Sequence, residues 1–168
     1  MILVYTGNGK GKTSACVGQA IRAIGQGKKV VFGQFFKLPE QAGEQKILQE
    51  VLKENFRAQG PGFYFEGPDD LEKHKEAAAS LLNWATQKTP GTFMLILDEA
   101  LYALSAKILE DDDLKKLIKL CREQNTHLVL SGRGVPEWLR EEADLVSELV
   151  EVKHHMKNGH KAAAGIEF

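Results

Sequence analysis

The run Thr6-Gly7-Asn8-Gly9-Lys10-Gly11-Lys12-Thr13 constrains this chain more than any other segment. It follows the short apolar stretch 2–5, which reads as a buried strand. It precedes a stretch in which Ala15, Cys16, Ala20, Ile21, Ala23 and Ile24 keep small or apolar side chains on one side at helical spacing, until Gly25-Gln26-Gly27 stops it. Strand, glycine-rich turn and helix are the setting of a phosphate-binding loop, whose pattern is GxxxxGK[ST]. Gly11, Lys12 and Thr13 fit that pattern, while Thr6 stands where its first glycine would be. Glycines reach backbone angles closed to other residues, so successive N–H groups can turn inward on an anion, and the helix start adds the positive end of its dipole. The expectation is that residues 6–14 (Thr6, Gly7, Asn8, Gly9, Lys10, Gly11, Lys12, Thr13 and Ser14) bind ATP. Lys12 should reach phosphate oxygens, the Thr13 hydroxyl should ligate Mg²⁺, and Lys10 should add charge at the rim. On this segment alone, a ligand-free glycine-rich turn is the competing reading.

Further along, strands are predicted over 30–36, 56–59, 93–97, 127–130 and 145–152. Helices are predicted over 39–53, from an N-cap at Asp69 or Asp70 through Ala85, and over 111–123 and 136–142. Residues 60–68 hold too much Gly and Pro for regular structure. Parallel strands need crossover connections, and the alternating helices supply them. The predicted fold is therefore α/β, a mostly parallel sheet with helices on both faces, as one domain over 1–168.

A second motif sharpens this. Residues 93–97 are all apolar and end in Asp98-Glu99, the pattern of a strand buried on both faces that delivers carboxylates at its tip. In phosphate-loop proteins such a carboxylate helps hold Mg²⁺, so Asp98 and Glu99 join Thr13 as candidate metal ligands, and Lys12, Thr13 and Glu99 are the candidate catalytic residues. No G-x-G-x-x-G with an acidic residue about 20 positions on is present, which argues against a dinucleotide dehydrogenase. The net charge of −1 gives no global basic field for nucleic acid. Cys16 and Cys121 form no CxxC and suit a reducing compartment. No leader-like segment and no apolar run near the roughly 20 residues of a membrane span is present, so a cytoplasmic protein is expected.

Beyond the two motifs, the sequence resembles the ATP:corrinoid adenosyltransferases. The resemblance rests on residues 6–13 followed by Gly18, Ala20, Arg22-Ala23 and Gly25-x-Gly27. It continues through Gln34-Phe35-Phe36-Lys37, Gly62-Phe63, Leu97-Asp98-Glu99, Gly132-Arg133-Gly134, the run 143–149, Val152-Lys153-His154, Lys161-Ala162 and Gly165-Ile166-Glu167-Phe168. It implies a RecA-like phosphate-loop fold, a homodimer, and an electron-donating flavoprotein as partner. It implies transfer of the 5′-deoxyadenosyl group from ATP to the Co(I) of a corrinoid such as cobalamin, with triphosphate released and ATP lying reversed on the loop. It further implies that Phe63 and Phe65 match the family's aromatic pair near the lower face of the corrin, Phe65 standing where Trp is frequent, and that Arg22 belongs to the binding residues. Two departures stand out. Family members carry a segment before the first strand that helps cover the site, whereas here the strand begins at residue 2. Where the family has a polar residue before Tyr, this chain reads Ala100-Leu101-Tyr102.

Arg133 follows a predicted strand at the sheet edge where ligands of open α/β sheets bind, so it is a candidate for phosphate or corrin contact, with a turn stabilised by a surface ion pair as the alternative. His154, His155 and His160 have no Cys or carboxylate at ligand spacing and are expected to be surface or structural residues. Trp84 and Trp138 are expected to pack. An ATP-hydrolysing or kinase-like enzyme, and a nucleotide- or corrinoid-binding protein without turnover, remain alternative functions.

Overall fold

Six parallel strands form one sheet, and alternate residues along the four central strands feed two separate cores. The structure, a computed structural model, describes residues 1–62, 64 and 67–167. The strands are β1 (Ile2–Thr6), β2 (Val30–Phe35), β3 (Phe56–Gln59), β4 (Met94–Asp98), β5 (His127–Ser131) and β6 (Leu145–Glu148). The helices are α1 (Lys12–Gly25), α2 (Gly43–Leu52), α3 (Pro68–Lys88), α4 (Ala100–Ser105), α5 (Asp111–Glu123) and α6 (Glu137–Glu142). The sheet order is β3-β2-β4-β5-β1-β6, with every pairing parallel. β5 thus separates the loop-bearing strand β1 from the acid-bearing strand β4.

Successive strand side chains point to opposite faces. Ile2, Val4, Val31, Phe35, Leu95, Leu97, Leu128 and Leu130 pack with helices α3 to α6. Leu3, Val30, Phe32, Met94, Ile96 and Val129 pack with Cys16, Ala20 and Ala23 of α1 and Leu48 and Leu52 of α2. Burial on both faces explains why β4 reads as an unbroken apolar run. Trp84 and Trp138 pack partly buried against the first core. Cys16 and Cys121 are free and buried, and burial pushes the Cys121 thiol up to about 12.

Several predicted boundaries move, each for a local reason. β2 ends at Phe35, because Phe36 turns into the left-handed region at φ 62°. The predicted helix 39–53 begins only at Gly43: the Gln41 and Ala42 N–H groups donate to Gln45 Oε1, a side-chain alternative to the helix ladder. The N-cap of α3 is Gly67 rather than Asp69 or Asp70. Pro68 takes the first helical position, where its fixed φ suits the helix, and the two acids fall in the first turn near the positive dipole end. β6 stops at Glu148 rather than reaching residue 152, because the next carbonyl, that of Leu149, turns toward the phosphate loop. α4 was not anticipated; it starts immediately after Glu99, which absorbs the turn from strand to helix at φ 63°.

Candidate active site

The parallel sheet brings the two motifs together at the carboxyl ends of its strands, the edge where open α/β sheets bind ligands. Thr6 is the last residue of β1 and is buried; being extended, it needs no glycine. The loop after it lies against the segment following β6. Gly9 N–H donates to the Leu149 carbonyl at 2.7 Å, and Leu149 N–H donates to the Thr6 carbonyl at 2.8 Å. A Cβ on Gly7, whose φ is 102°, would sit 2.4 Å from the Leu149 oxygen, and one on Gly9 would sit 2.6 Å from it. Both glycines are therefore required by close backbone approach.

Lys12 opens α1 and is buried, its ammonium donating to the Gly9 carbonyl at 2.8 Å. Burial lowers its pKa, with Glu99 the largest opposing influence. Thr13 donates its hydroxyl to Asp98 at 3.2 Å to Oδ1 and 3.1 Å to Oδ2. Asp98 is fully buried at the end of β4. Ser131 Oγ, at the end of β5, donates to Asp98 Oδ1 at 2.5 Å and itself accepts the Glu99 N–H at 3.0 Å. The register β2–β4 sets Gln34 directly beside Asp98, and Gln34 Nε2 donates to Asp98 Oδ2 at 3.2 Å. Burial raises the Asp98 pKa, while the hydrogen bonds from Ser131 and Gln34, the Lys37 charge and the Thr13 hydrogen bond pull it back. Glu99 is also raised, by burial and then by the Asp98 charge, against Lys12, Arg133 and Lys37. The donors around Thr13, Asp98 and Glu99 are hard hydroxyl and carboxylate oxygens. That set fits Mg²⁺, which takes one or two protein carboxylates and fills its other positions with water and substrate phosphate.

The other expected residues are less tightly gathered. Lys10 is exposed at the rim, and its ammonium donates to the Ile166 carbonyl and pairs with Glu167 at 3.4 Å. Asn8 and Arg133 line a cleft of about 460 Å³ with Glu148, Val150, Glu151 and Lys157. Ser14 is exposed in the first turn of α1. Arg22 is exposed in the last turn of the same helix, about 15 Å along the axis from Lys12 at the usual helical rise, so the fold does not bring it to the loop. Phe63 and Phe65 lie outside the described residues. Tyr64 between them sets its ring on His74 at 5.2 Å, and His74 packs on Phe36 at 5.3 Å. His155 pairs with Glu167 at 3.1 Å, and His154 accepts the Met156 N–H, both structural uses at the surface.

Ser131 and Gln34 were not expected at the site. Neither is near Asp98 in sequence, and only strand register joins them; a polar residue in an otherwise apolar strand was the available signal.

Relatives match this chain along its full length. The corrinoid adenosyltransferase of Pseudomonas aeruginosa is 37% identical over 175 residues, covering all of this chain and 83% of that protein. That of Escherichia coli strain K12 is 36% identical over 172 residues, covering all of this chain and 85% of that one. The corrinoid adenosyltransferase CobA of Salmonella typhimurium is 34% identical over 172 residues with the same shares. The sequence pattern of the ATP:corrinoid adenosyltransferases BtuR/CobO/CobP matches residues 1–168, and the chain belongs to that family.

Proposed function

We propose that this chain transfers the 5′-deoxyadenosyl group of ATP to the Co(I) of a corrinoid and releases inorganic triphosphate, acting as an ATP:cob(I)alamin adenosyltransferase. The observation that carries this reading is the family match over residues 1–168 on a chain whose loop and acidic motifs meet at one sheet edge.

In this reading the Co(I) of the corrinoid substrate is the nucleophile, so the protein needs no Ser, Cys or His attacker. A cobalt–carbon bond forms at C5′, the C5′–oxygen bond breaks, and its electron pair leaves on the triphosphate. The protein's work is positioning and stabilisation of that departing charge. The Lys12 ammonium exchanges its Gly9 carbonyl for phosphate oxygens, and the loop N–H groups other than that of Gly9, which donates to the Leu149 carbonyl, would turn on the same anion. Thr13, Asp98 and Glu99 are the residues that would hold Mg²⁺, which supplies charge neutralisation along the triphosphate. The aromatic loop carrying Phe63 and Phe65 would face the corrin, where apolar rings exclude water and offer cobalt no lower ligand.

The proposal extends to a single-domain subunit over 1–168, a homodimer, a flavoprotein electron donor and a cytoplasmic location. No helix among the described residues is long and apolar enough to cross a membrane.

The phosphate products separate this function from its rivals. With ATP, Mg²⁺ and reduced corrinoid under anaerobic conditions, phosphorus NMR should show triphosphate in step with corrinoid consumed. ADP and phosphate instead would identify an ATPase or kinase-like enzyme, and bound but unchanged ATP a carrier.

A further inference from the structure

The segment Gln34-Phe35-Phe36-Lys37 is not used by the mechanism above, yet it ends at the same sheet edge. Phe36 takes the left-handed conformation at φ 62° directly after β2, and its ring packs on Tyr102 at 5.0 Å and on His74. A non-glycine residue held there needs its surroundings to fix it. The turn takes the chain out of β2, with the Lys37 N–H donating to the Phe35 carbonyl at 2.7 Å, and leaves the Lys37 charge within influence of Asp98 and Glu99. The Lys37 ammonium lies 3.5 Å from Glu44 Oε1, in the first turn of α2. The same Glu44 oxygen accepts from Gln34 Nε2 at 3.2 Å, and that nitrogen also donates to Asp98. Lys37 is thus tied through one carboxylate and one amide to the acid at the end of β4.

The amide is braced in turn. Gln34 is fully buried, and its Oε1 accepts from Gln45 Nε2 at 3.0 Å. Gln45 Nε2 also donates to the Leu38 carbonyl at 3.2 Å, closing the turn that carries Lys37. The Lys37–Glu44 pair itself is loose and about one-quarter exposed on the lysine side, so it is weak and exchangeable. Three cations act on Glu99, namely Lys12 from the loop, Arg133 after β5 and Lys37 after β2, and Lys37 acts on Asp98 as well.

We infer that Lys37 is a further substrate-contacting residue, which leaves Glu44 to bind the polyphosphate of ATP from the β2 side, held in reach by Gln34 and Gln45. The inference rests on the proposed function for the identity of the nucleotide. Its test is a binding measurement that needs no turnover.

ATP and adenosine are titrated calorimetrically into the full chain with Mg²⁺ and no corrinoid, alongside Lys37→Ala, Lys37→Arg and Glu44→Gln. Lys37→Ala should weaken ATP about tenfold or more, the loss of one charge-assisted hydrogen bond. Adenosine, which has no phosphate, should bind all four proteins alike. Lys37→Arg should stay within about threefold of the parent, because the charge is kept and a side chain already about one-quarter exposed leaves room for the larger head. Glu44→Gln, which frees Lys37, should bind ATP at least as well as the parent. Unchanged ATP affinity in Lys37→Ala would overturn the inference. So would an equal loss of ATP and adenosine, or a loss in Glu44→Gln matching that of Lys37→Ala, since either marks a structural pair. If the parent binds ATP but makes no adenosylated corrinoid, the transfer function fails while the Lys37 test still reads out.

Discussion

Replacing Lys12 with alanine lowers adenosyl transfer by about 100- to 1,000-fold, the scale of removing one preorganised donor from a developing oxyanion. The substitution leaves corrinoid affinity unchanged and weakens ATP. Stability hardly suffers. Lys12 is buried, burial already disfavours its charge, and its described hydrogen bond is to the Gly9 carbonyl. Removing a buried ammonium relieves that cost, so the thermal midpoint should stay level or rise. Arginine should not rescue the rate, because a planar fork cannot occupy the position of a compact ammonium. Steady-state rates with ATP and reduced corrinoid, paired with thermal melts, check all four statements. A rate within threefold of the parent would remove Lys12 from the reaction.

The second large effect has opposite signs in function and stability. Asp98→Asn should cut transfer by about 100-fold or more, since losing even the outer partners of a metal site costs 10- to 100-fold. At pH 7 the same substitution should raise the stability of the ligand-free chain by about 1 kcal/mol or more, because a buried charge is replaced by a neutral group of the same shape. Asparagine can turn its carbonyl toward Thr13 and Gln34 and its amide toward the Ser131 oxygen, which keeps those contacts while the Ser131 proton loses its acceptor and offsets part of the gain. The pH dependence follows from the raised pKa of Asp98 in the folded state, above its ordinary 3.8. A raised carboxyl takes up its proton in the folded protein before it does so in the unfolded chain. The parent therefore gains stability as pH falls through the folded value, and that gain is complete below 3.8. The advantage of asparagine should be widest at neutral pH and shrink on acidification. Melts across that range, made without nucleotide or Mg²⁺, test it; a parent more stable than Asp98→Asn at pH 7 would show that its hydrogen bonds outweigh burial.

What could be read from the sequence was what is local. The loop, its flanking strand and its helix are consecutive residues, and each demands the next: Gly7, Gly9 and Gly11 free to reach backbone angles closed to other residues, Lys12 and Thr13 at the helix start. β4 was legible because burial on both faces leaves an unbroken apolar run ending in acid. The brace around Asp98 was not legible. Gln34 lies 64 residues and Ser131 33 residues from it, and both arrive through parallel register rather than spacing. α4 escaped because six residues carry too little periodicity, and because the turn into it depends on Glu99 taking a left-handed backbone that sequence does not announce. The true end of β6 depends on where the Leu149 carbonyl finds its donor, a contact with a loop far away in sequence. The roles given to Phe63 and Phe65 rest on resemblance alone, since both lie outside the described residues.

The most direct measurement mixes the protein anaerobically with ATP, Mg²⁺ and chemically reduced cob(I)alamin and follows the visible spectrum. A light-sensitive organocobalt product should accumulate, with one triphosphate released per cobalt adenosylated. Cob(I)alamin left unchanged while ATP is bound, or ATP split to ADP with no cobalt–carbon bond formed, would contradict the proposed transfer.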